Sequence, residues 1–285
     1  MKIAIICPYF GTLPIWFDLL IFSCSKNKSI DFHFYTDCPI PQTVYENTIF
    51  HLISFRDYCK MVSEKLEIVF APESAYKLCD LKPFYGIVHK ELVDEYDYWG
   101  FADVDLVYGD LSPLVNKVKT KRYDLITTHA DRIAGHFTLI RTASSYTLKC
   151  LEIECWKDRL QEEYVYGLDE HDLTLIVYPL QKQIWRAYRF VGRRMGIIYY
   201  NFFRLFNVFT NFFSRHFFQE YYTSILPKDG EEYIYVDGRV IDPYGRSLPY
   251  LHFLFFKKTQ HYAAEKYWKD GFWKIGNVEN FEACS

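Results

Sequence analysis

The chain has 285 residues, 50% of them hydrophobic and 20% aromatic, and a formal charge of −3. That length suits one large α/β domain with an appendage and a core that needs no disulfides, and the nearly balanced charge excludes an overall field for nucleic acid. Eight cysteines without a CxxC or paired spacing read as reduced, cytosolic usage, which excludes a disulfide framework and a cysteine zinc site.

In chain order, residues 2–7 form an apolar run broken by Pro8 and Gly11, too brief for the apolar core of a signal peptide and suited to a first buried strand. No window approaches the roughly 18 uninterrupted apolar residues of a spanning helix. Leu13 to Ser25 is expected as a helix, with Trp16, Leu19, Leu20 and Phe22 on its apolar side. Ile30–Asp37 alternates as a second strand, stopped by Cys38-Pro39. Thr48–Ile53 is a third strand, Phe55–Lys65 a helix, and Lys77–Gly86 leads into a helix ending near Val93.

The stretch Tyr98-Trp-Gly-Phe-Ala-Asp-Val-Asp-Leu-Val-Tyr-Gly-Asp110 organises the rest. A buried strand runs into Asp103 and Asp105. Residues i and i+2 of an extended chain share a side, so with Val104 facing the core both carboxylates project together. Such a pair is costly unless a cation lies between it and an anion such as a diphosphate, the setting hard divalent metals prefer. A solvated strand end leading into a turn is the plainer reading of the same residues.

Beyond it, Ser112 and Pro113 open a short helix, with Ser112 as its N-cap. Asp124–Thr128 and Phe137–Arg141 are strands around the polar loop His129–His136. Ser144 to Trp156 reads as a helix burying Tyr146, Leu148, Cys150, Leu151 and Ile153. Gly167-Leu-Asp-Glu-His-Asp172 then crowds acids before a helix from Leu173 to Leu180, where a cap is the simple explanation.

From Lys182 to Gln219 there is no acidic residue, and seven basic residues interleave with clustered phenylalanines. That pattern describes helices in a membrane interface; a helical lid packed on the domain is the alternative. Asp237-Gly238 marks a hairpin within 232–241, Pro249–Lys258 is a last strand, and 261–285 an amphipathic piece.

Phe101-Ala-Asp-Val-Asp105, about a hundred residues after the first strand, resembles the Asp-x-Asp signature of GT-A glycosyltransferases. More narrowly, the chain is similar to a poorly characterised group of bacterial GT-A enzymes from polysaccharide gene clusters, over roughly residues 1–180 and 231–260. The resemblance implies an α/β, Rossmann-like GT-A fold with a mixed central sheet flanked by helices. Residues 1–260 would be the catalytic domain, with 182–222 a basic, aromatic helical insertion, and 261–285 a tail.

It also implies Mn2+ or Mg2+ held by Asp103, Asp105 and His252, with Asp103 and Lys257 also serving the donor diphosphate. Pro8 and Tyr9 would meet the base or ribose, Thr36 and Asp37 the nucleoside, Lys82 and more weakly Asp80 the donor. Arg132 and His136 would face the acceptor, and Glu170 or Asp172 would be the base of an inverting enzyme, although the late histidine and lysine resemble retaining families such as the glycogenin-like enzymes. Each has a plainer reading: Asp37 as a turn residue before proline, Lys82 on the surface, His252 in the core, Arg132 and His136 closing a turn.

The implied reaction moves a sugar from a nucleotide-diphosphate sugar, expected to be a UDP-sugar, to a glycan acceptor, expected to be lipid-linked, in bacterial O-antigen or capsule synthesis. The expected place is the cytoplasm, peripheral on the inner face of the plasma membrane, with no nucleic-acid partner. A non-catalytic membrane-bound scaffold with the same fold is one alternative. A sugar nucleotidyltransferase is another, although Pro8–Pro14 lacks the charges of the basic, glycine-rich loop such enzymes carry after their first strand.

Overall fold

A computed structural model describes residues 1–14, 16–129, 132–178 and 233–252, together with the backbone of 215–217 and 272–275. The elements are β1 (Ile3–Pro8), α1 (Phe17–Ser25), β2 (Ile30–Thr36), β3 (Thr48–Leu52), α2 (Phe55–Leu66), short helical turns between Ala75 and Val93, β4 (Tyr98–Ala102), β5 (Leu106–Tyr108) and α3 (Ser112–Lys121). There follow β6 (Leu125–Thr127), β7 (Phe137–Arg141), a 3-10 helix (Ser145–Glu152), α4 (Trp156–Gln161), a π-helical turn (Leu168–Leu173) and α5 (Thr174–Val177). The last elements are β8 (Arg215–Phe217), β9 (Tyr233–Val236), β10 (Arg239–Ile241), β11 (Ser247–Leu248), β12 (Tyr250–His252) and β13 (Phe272–Ile275). The class is mixed α/β, as expected.

The chain divides into two compact units, one of Met1–Ile6, Ser54–Ala102 and Lys121–Gln219, the other of Cys7–Ile53, Asp103–Thr120 and Glu220–Ser285. In the first unit the sheet order is β1-β4-β7-β6-β8. β1 runs parallel to β4, β7 is antiparallel to β4 and β6, and β8 is parallel to β6. Every residue of β4 is buried, as a strand covered on both faces requires. Helix α2 buries Tyr58, Cys59, Val62 and Leu66, and Ser54 caps it by accepting from the Asp57 N–H. Arg215–Phe217 lies inside the segment expected to be helical, yet it runs as a strand on β6, whose outer row of backbone groups takes a further strand. The remainder of 182–222 lies outside the described residues, so neither the membrane-interface reading nor the lid is addressed.

In the second unit β2 and β3 pair in parallel, Phe32 opposite Thr48 through Thr36 opposite Leu52. The expected hairpin forms: Asp237 and Gly238 have φ of 48° and 75°, the doubly positive turn that an Asp-Gly pair favours. A second sheet has the order β11-β10-β9-β13, so four residues of the expected tail extend it. The core here packs Trp16, Leu19 and Phe22 of the α1 region against Val107, Tyr235, Val240, Leu248 and Leu251. Helix α1 begins at Phe17 rather than Leu13, because Pro14 closes a separate turn by accepting from the Phe17 N–H at 2.9 Å.

Two helices expected in the first unit take other forms. Residues 145–152 wind as a 3-10 helix, in which residues three apart align. Leu148 and Leu151 therefore share an outward face, 56% and 45% exposed, while Cys150 and Ile153 are buried. The expected helix from Leu173 is preceded by the π-helical turn, and its described α-helical part is Thr174–Val177. Among the described residues no helix is long and apolar enough to cross a membrane.

Candidate functional site

In the second unit the chain leaves β4 at Ala102, bends at Val104 and Asp105, and resumes as β5 at Leu106. The acidic pair is therefore carried on a bend and not on an extended strand. Asp105 is 4% exposed and Asp103 half-buried, so the two carboxylates do not share one environment. The cause is local. Trp16, fixed in the core, donates its indole N–H to the Val104 carbonyl at 2.9 Å and holds the bend. Antiparallel pairing of β5 with β12 then sets Leu106 opposite His252. That register brings the His252 Nε2 to 3.6 Å from the Asp105 Oδ1, with both side chains buried.

The segment after the bend is held as firmly. The Asn27 amide donates to the Gly109 carbonyl at 2.9 Å and accepts from the Leu111 N–H at 2.9 Å. Ser23 accepts from the Tyr108 N–H at 3.0 Å. Asp110, not Ser112, supplies the polar start of α3, accepting from the Ser112 N–H at 2.8 Å. Burial first, with Cys7, Cys24 and Asp103 nearby, pushes the Tyr108 hydroxyl well above its ordinary pKa and keeps it neutral.

The other residues expected at a nucleoside also lie in this unit. The Tyr9 N–H donates to the Tyr35 carbonyl at 2.8 Å, the Gly11 N–H to Asp37 Oδ1 at 3.0 Å, and the Cys38 N–H to the Thr36 hydroxyl at 3.1 Å. These bonds join the loop of Pro8 and Tyr9 to the end of β2 at Thr36 and Asp37. Thr36 is buried, Pro8 and Tyr9 half-buried and Asp37 exposed.

In the first unit Lys82 is buried, its Nζ 2.9 Å from the Gly135 carbonyl and 3.8 Å from Asp169 Oδ2. The Gly135 N–H donates to Glu170 at 3.2 Å, and the Glu170 N–H to Asp169 at 2.8 Å. A Cβ at Gly135 would stand 2.4 Å from Asp169 Oδ2, so any side chain here forces that carboxylate to shift. Threonines staple this loop: Thr127 accepts from the Ala134 N–H, Thr174 from the Ile133 N–H, both at 2.9 Å, and Thr138 donates to the Ala134 carbonyl at 2.8 Å. His136 is buried with Nε2 3.3 Å from the Thr128 hydroxyl, whereas Arg132 is exposed.

The two expected bases differ. Burial raises the Asp172 pKa, but two hydrogen bonds from Arg159 at 2.9 and 2.8 Å, with His171 beside it, outweigh that and hold the carboxyl below its usual value. Glu170 is exposed. Asp80, expected weakly at the donor, is 0% exposed. It accepts from the N–H groups of Tyr166, Gly167 and Leu168 at 2.9, 2.7 and 3.0 Å and from Lys77 Nζ at 3.0 Å. Its work is to anchor the loop that leads into the acidic turn. The buried Lys77 escapes a reading from sequence, although a Lys-x-x-Asp pair inside an otherwise apolar run is a usable sign of a buried ion pair. Lys257 lies outside the described residues. Among the described residues no group of three His, Cys, Asp or Glu is arranged to hold a metal ion.

Residues 5–266 match the model of a family described as "Family of unknown function (DUF6625)". No curated protein matches the chain. Among solved structures, mouse xyloside xylosyltransferase 1 aligns at 12% identity over 63% of this chain and 83% of its own, with a TM-score of 0.39. The glycosyltransferase GlyE of Streptococcus pneumoniae aligns at 11% over 63% and 44%, TM-score 0.35. S. aureus TarS 1-349 aligns at 12% over 60% and 56%, TM-score 0.32. The chain thus spans about half the length of the last two.

Proposed function

The chain belongs to this family of unknown function, and we propose that it is a metal-dependent glycosyltransferase that moves a sugar from a nucleotide-diphosphate sugar, a UDP-sugar, to a glycan acceptor. The observation that carries the reading is the buried Asp105–His252 pair, 3.6 Å apart at the end of a buried strand. A carboxylate oxygen and an imidazole nitrogen at this separation would together hold one divalent cation. A carboxylate oxygen with an imidazole nitrogen suits Mn2+. Asp103, earlier on the same bend, and the donor diphosphate are the proposed remaining ligands.

When bound, the metal supplies positive charge for the departing diphosphate. The chain's own groups do the rest. Pro8, Tyr9, Thr36 and Asp37 are proposed to receive the nucleoside, and Lys257 the diphosphate. Lys82, tied to Gly135 and Asp169, is proposed as a donor contact. Glu170 is the proposed base that takes the acceptor hydroxyl proton. Asp172, engaged by Arg159, positions that turn. Arg132 and His136 are proposed on the acceptor side. A lipid-linked acceptor in bacterial surface-polysaccharide synthesis, met at the inner face of the plasma membrane, accords with the basic, aromatic composition of 182–219.

The test is a thermal-shift titration of wild type and Asp105→Asn with UDP and other nucleoside diphosphates, with and without Mn2+. Ligand linkage raises the wild-type melting temperature only when metal and nucleotide are both present, and the substitution abolishes the rise. A nucleotide response that ignores Mn2+, or none at all, removes the donor site.

A further inference from the structure

The first unit carries an exposed aromatic surface that the proposed chemistry does not use. Val69, Tyr76 and Tyr164 are 70%, 69% and 68% exposed. Such residues usually occur singly and need no explanation; here hydrogen bonds hold the segments that carry them beside one another. The Val69 N–H donates to Gln161 at 3.0 Å and the Glu73 N–H to the Glu163 carboxylate at 3.2 Å, which lays the chain around 69–77 beside that around 161–166. Lys77, next to Tyr76 and 1% exposed, donates to the carbonyls of Tyr164 and Arg159. Asp80 fixes the backbone at Tyr166, Gly167 and Leu168. The rings are fixed too: Tyr164 meets Tyr166 edge-on with centroids 4.7 Å apart, and the Arg159 guanidinium lies 4.4 Å from the Tyr166 centroid.

A buried Lys–Asp pair is costly to desolvate and adds little net stability over an apolar core. Here it holds an exposed loop in one shape, which is the arrangement expected where a surface must be ready for a ligand. Tyrosine rings give rigid contact area with few rotors and a hydroxyl at the end, and their faces suit the apolar C–H faces of pyranose rings. Glu162 accepts from the Tyr166 hydroxyl and Glu163 from the Glu73 N–H, and carboxylates with lone pairs to spare accept from sugar hydroxyls too. The same carboxylates repel an anionic membrane surface, which favours a neutral, hydroxyl-rich occupant.

We propose that Tyr76, Tyr164 and Tyr166 form a saccharide-binding platform that holds the acceptor glycan at sugar units beyond the reacting hydroxyl. The platform lies on the anchored loop that continues into the turn of Glu170, and its assignment to the acceptor rests on the glycosyltransferase reading.

The experiment is saturation-transfer NMR on the full chain with chitotriose, cellotriose and maltotriose, repeated on Tyr164→Ser and Tyr164→Phe. Transfer to pyranose ring protons of at least one trisaccharide is expected in wild type and Tyr164→Phe, with binding at least tenfold weaker in Tyr164→Ser. Tyr164 is exposed, so an unchanged melting temperature in both variants separates lost binding from lost folding. No transfer from any of the three sugars, or equal transfer in Tyr164→Ser, overturns the platform. Tyrosine-dependent capture of vesicles of phosphatidylglycerol overturns it as well. The UDP and Mn2+ titration runs alongside: a nucleotide response without saccharide binding removes the platform and keeps the enzyme reading, whereas saccharide binding without a nucleotide response keeps a sugar site and removes the donor site.

Discussion

Asp103 and Asp105 in one unit, and Glu170 and Asp172 in the other, are both carboxylate pairs one residue apart, and the molecule settles their charge by different means. Asp172 has a permanent cation, Arg159, bonded to both of its oxygens, and Glu170 has the Gly135 N–H. Asp105 instead meets the His252 imidazole, 3.6 Å away. Identical spacing therefore says little about role. The neighbour beside a carboxylate, a guanidinium for Asp172 and an imidazole for Asp105, is what tells the two pairs apart.

The most damaging way to break the fixed side of that comparison is Asp80→Ala, which strands the Lys77 charge and three backbone N–H groups in the interior. Loss of one partner of a buried pair costs about 3–5 kcal/mol, so the urea midpoint falls steeply and proteolysis between 161 and 168 accelerates. A midpoint within error of wild type would show that the loop is held by other means.

The second test asks how the unit of Asp105 treats its other imidazoles. His33 lies 3.0 Å from His51, and burial, then the neighbouring His51, lowers its pKa from 6.5 to about 4. Between these values the unfolded chain binds more protons than the folded one, so stability is present above pH about 6.5 and is lost as pH falls toward about 4. At about 1.4 kcal/mol per pKa unit the loss approaches about 3 kcal/mol. Melting temperatures of wild type and His33→Gln across that window check it, the variant having the flatter acid limb.

Gly135→Ala sharpens the comparison by disturbing the acidic turn without changing a charge. The added methyl meets the Asp169 carboxylate, and overpacking of this kind costs about 1–3 kcal/mol. A loss of that size in chemical denaturation, with the UDP and Mn2+ shift retained, separates the two sites. The smallest effect belongs to Tyr235→Phe. Its hydroxyl is buried without a hydrogen-bond partner among the described residues, and burial pushes its pKa beyond the accessible range. Removing an orphaned polar group is neutral or stabilising by about 1 kcal/mol; a clear destabilisation would reveal a partner for that hydroxyl.

Where backbone chemistry is local, the sequence was a good guide. The strand Phe137–Arg141 forms with the expected bounds, and Asp237-Gly238 turns as its residue types require. Long-range constraints were less visible. The bend at Val104 depends on the Trp16 indole 88 positions earlier, which no periodicity records. The 3-10 winding of 145–152 replaces the expected α-helix, and Leu148 and Leu151 then face outward although their spacing suits a core. Lys82 was singled out for its charge, and its contacts with Gly135 and Asp169 are ones that a polar loop and an acidic run do not announce separately. His252 could be singled out by residue type, but its distance from Asp105 follows from a β-register that only the folded pairing defines.

That register also sets a timetable for synthesis. Asp105 emerges about 150 residues before His252, and at roughly 5–20 residues per second the ribosome needs on the order of ten seconds to deliver the second from the first. Throughout that interval β5 has no β12 beside it, and the nascent chain cannot assemble the pair proposed to hold the metal. The buried Asp105–His252 contact is therefore among the last of its unit to form as the chain is made.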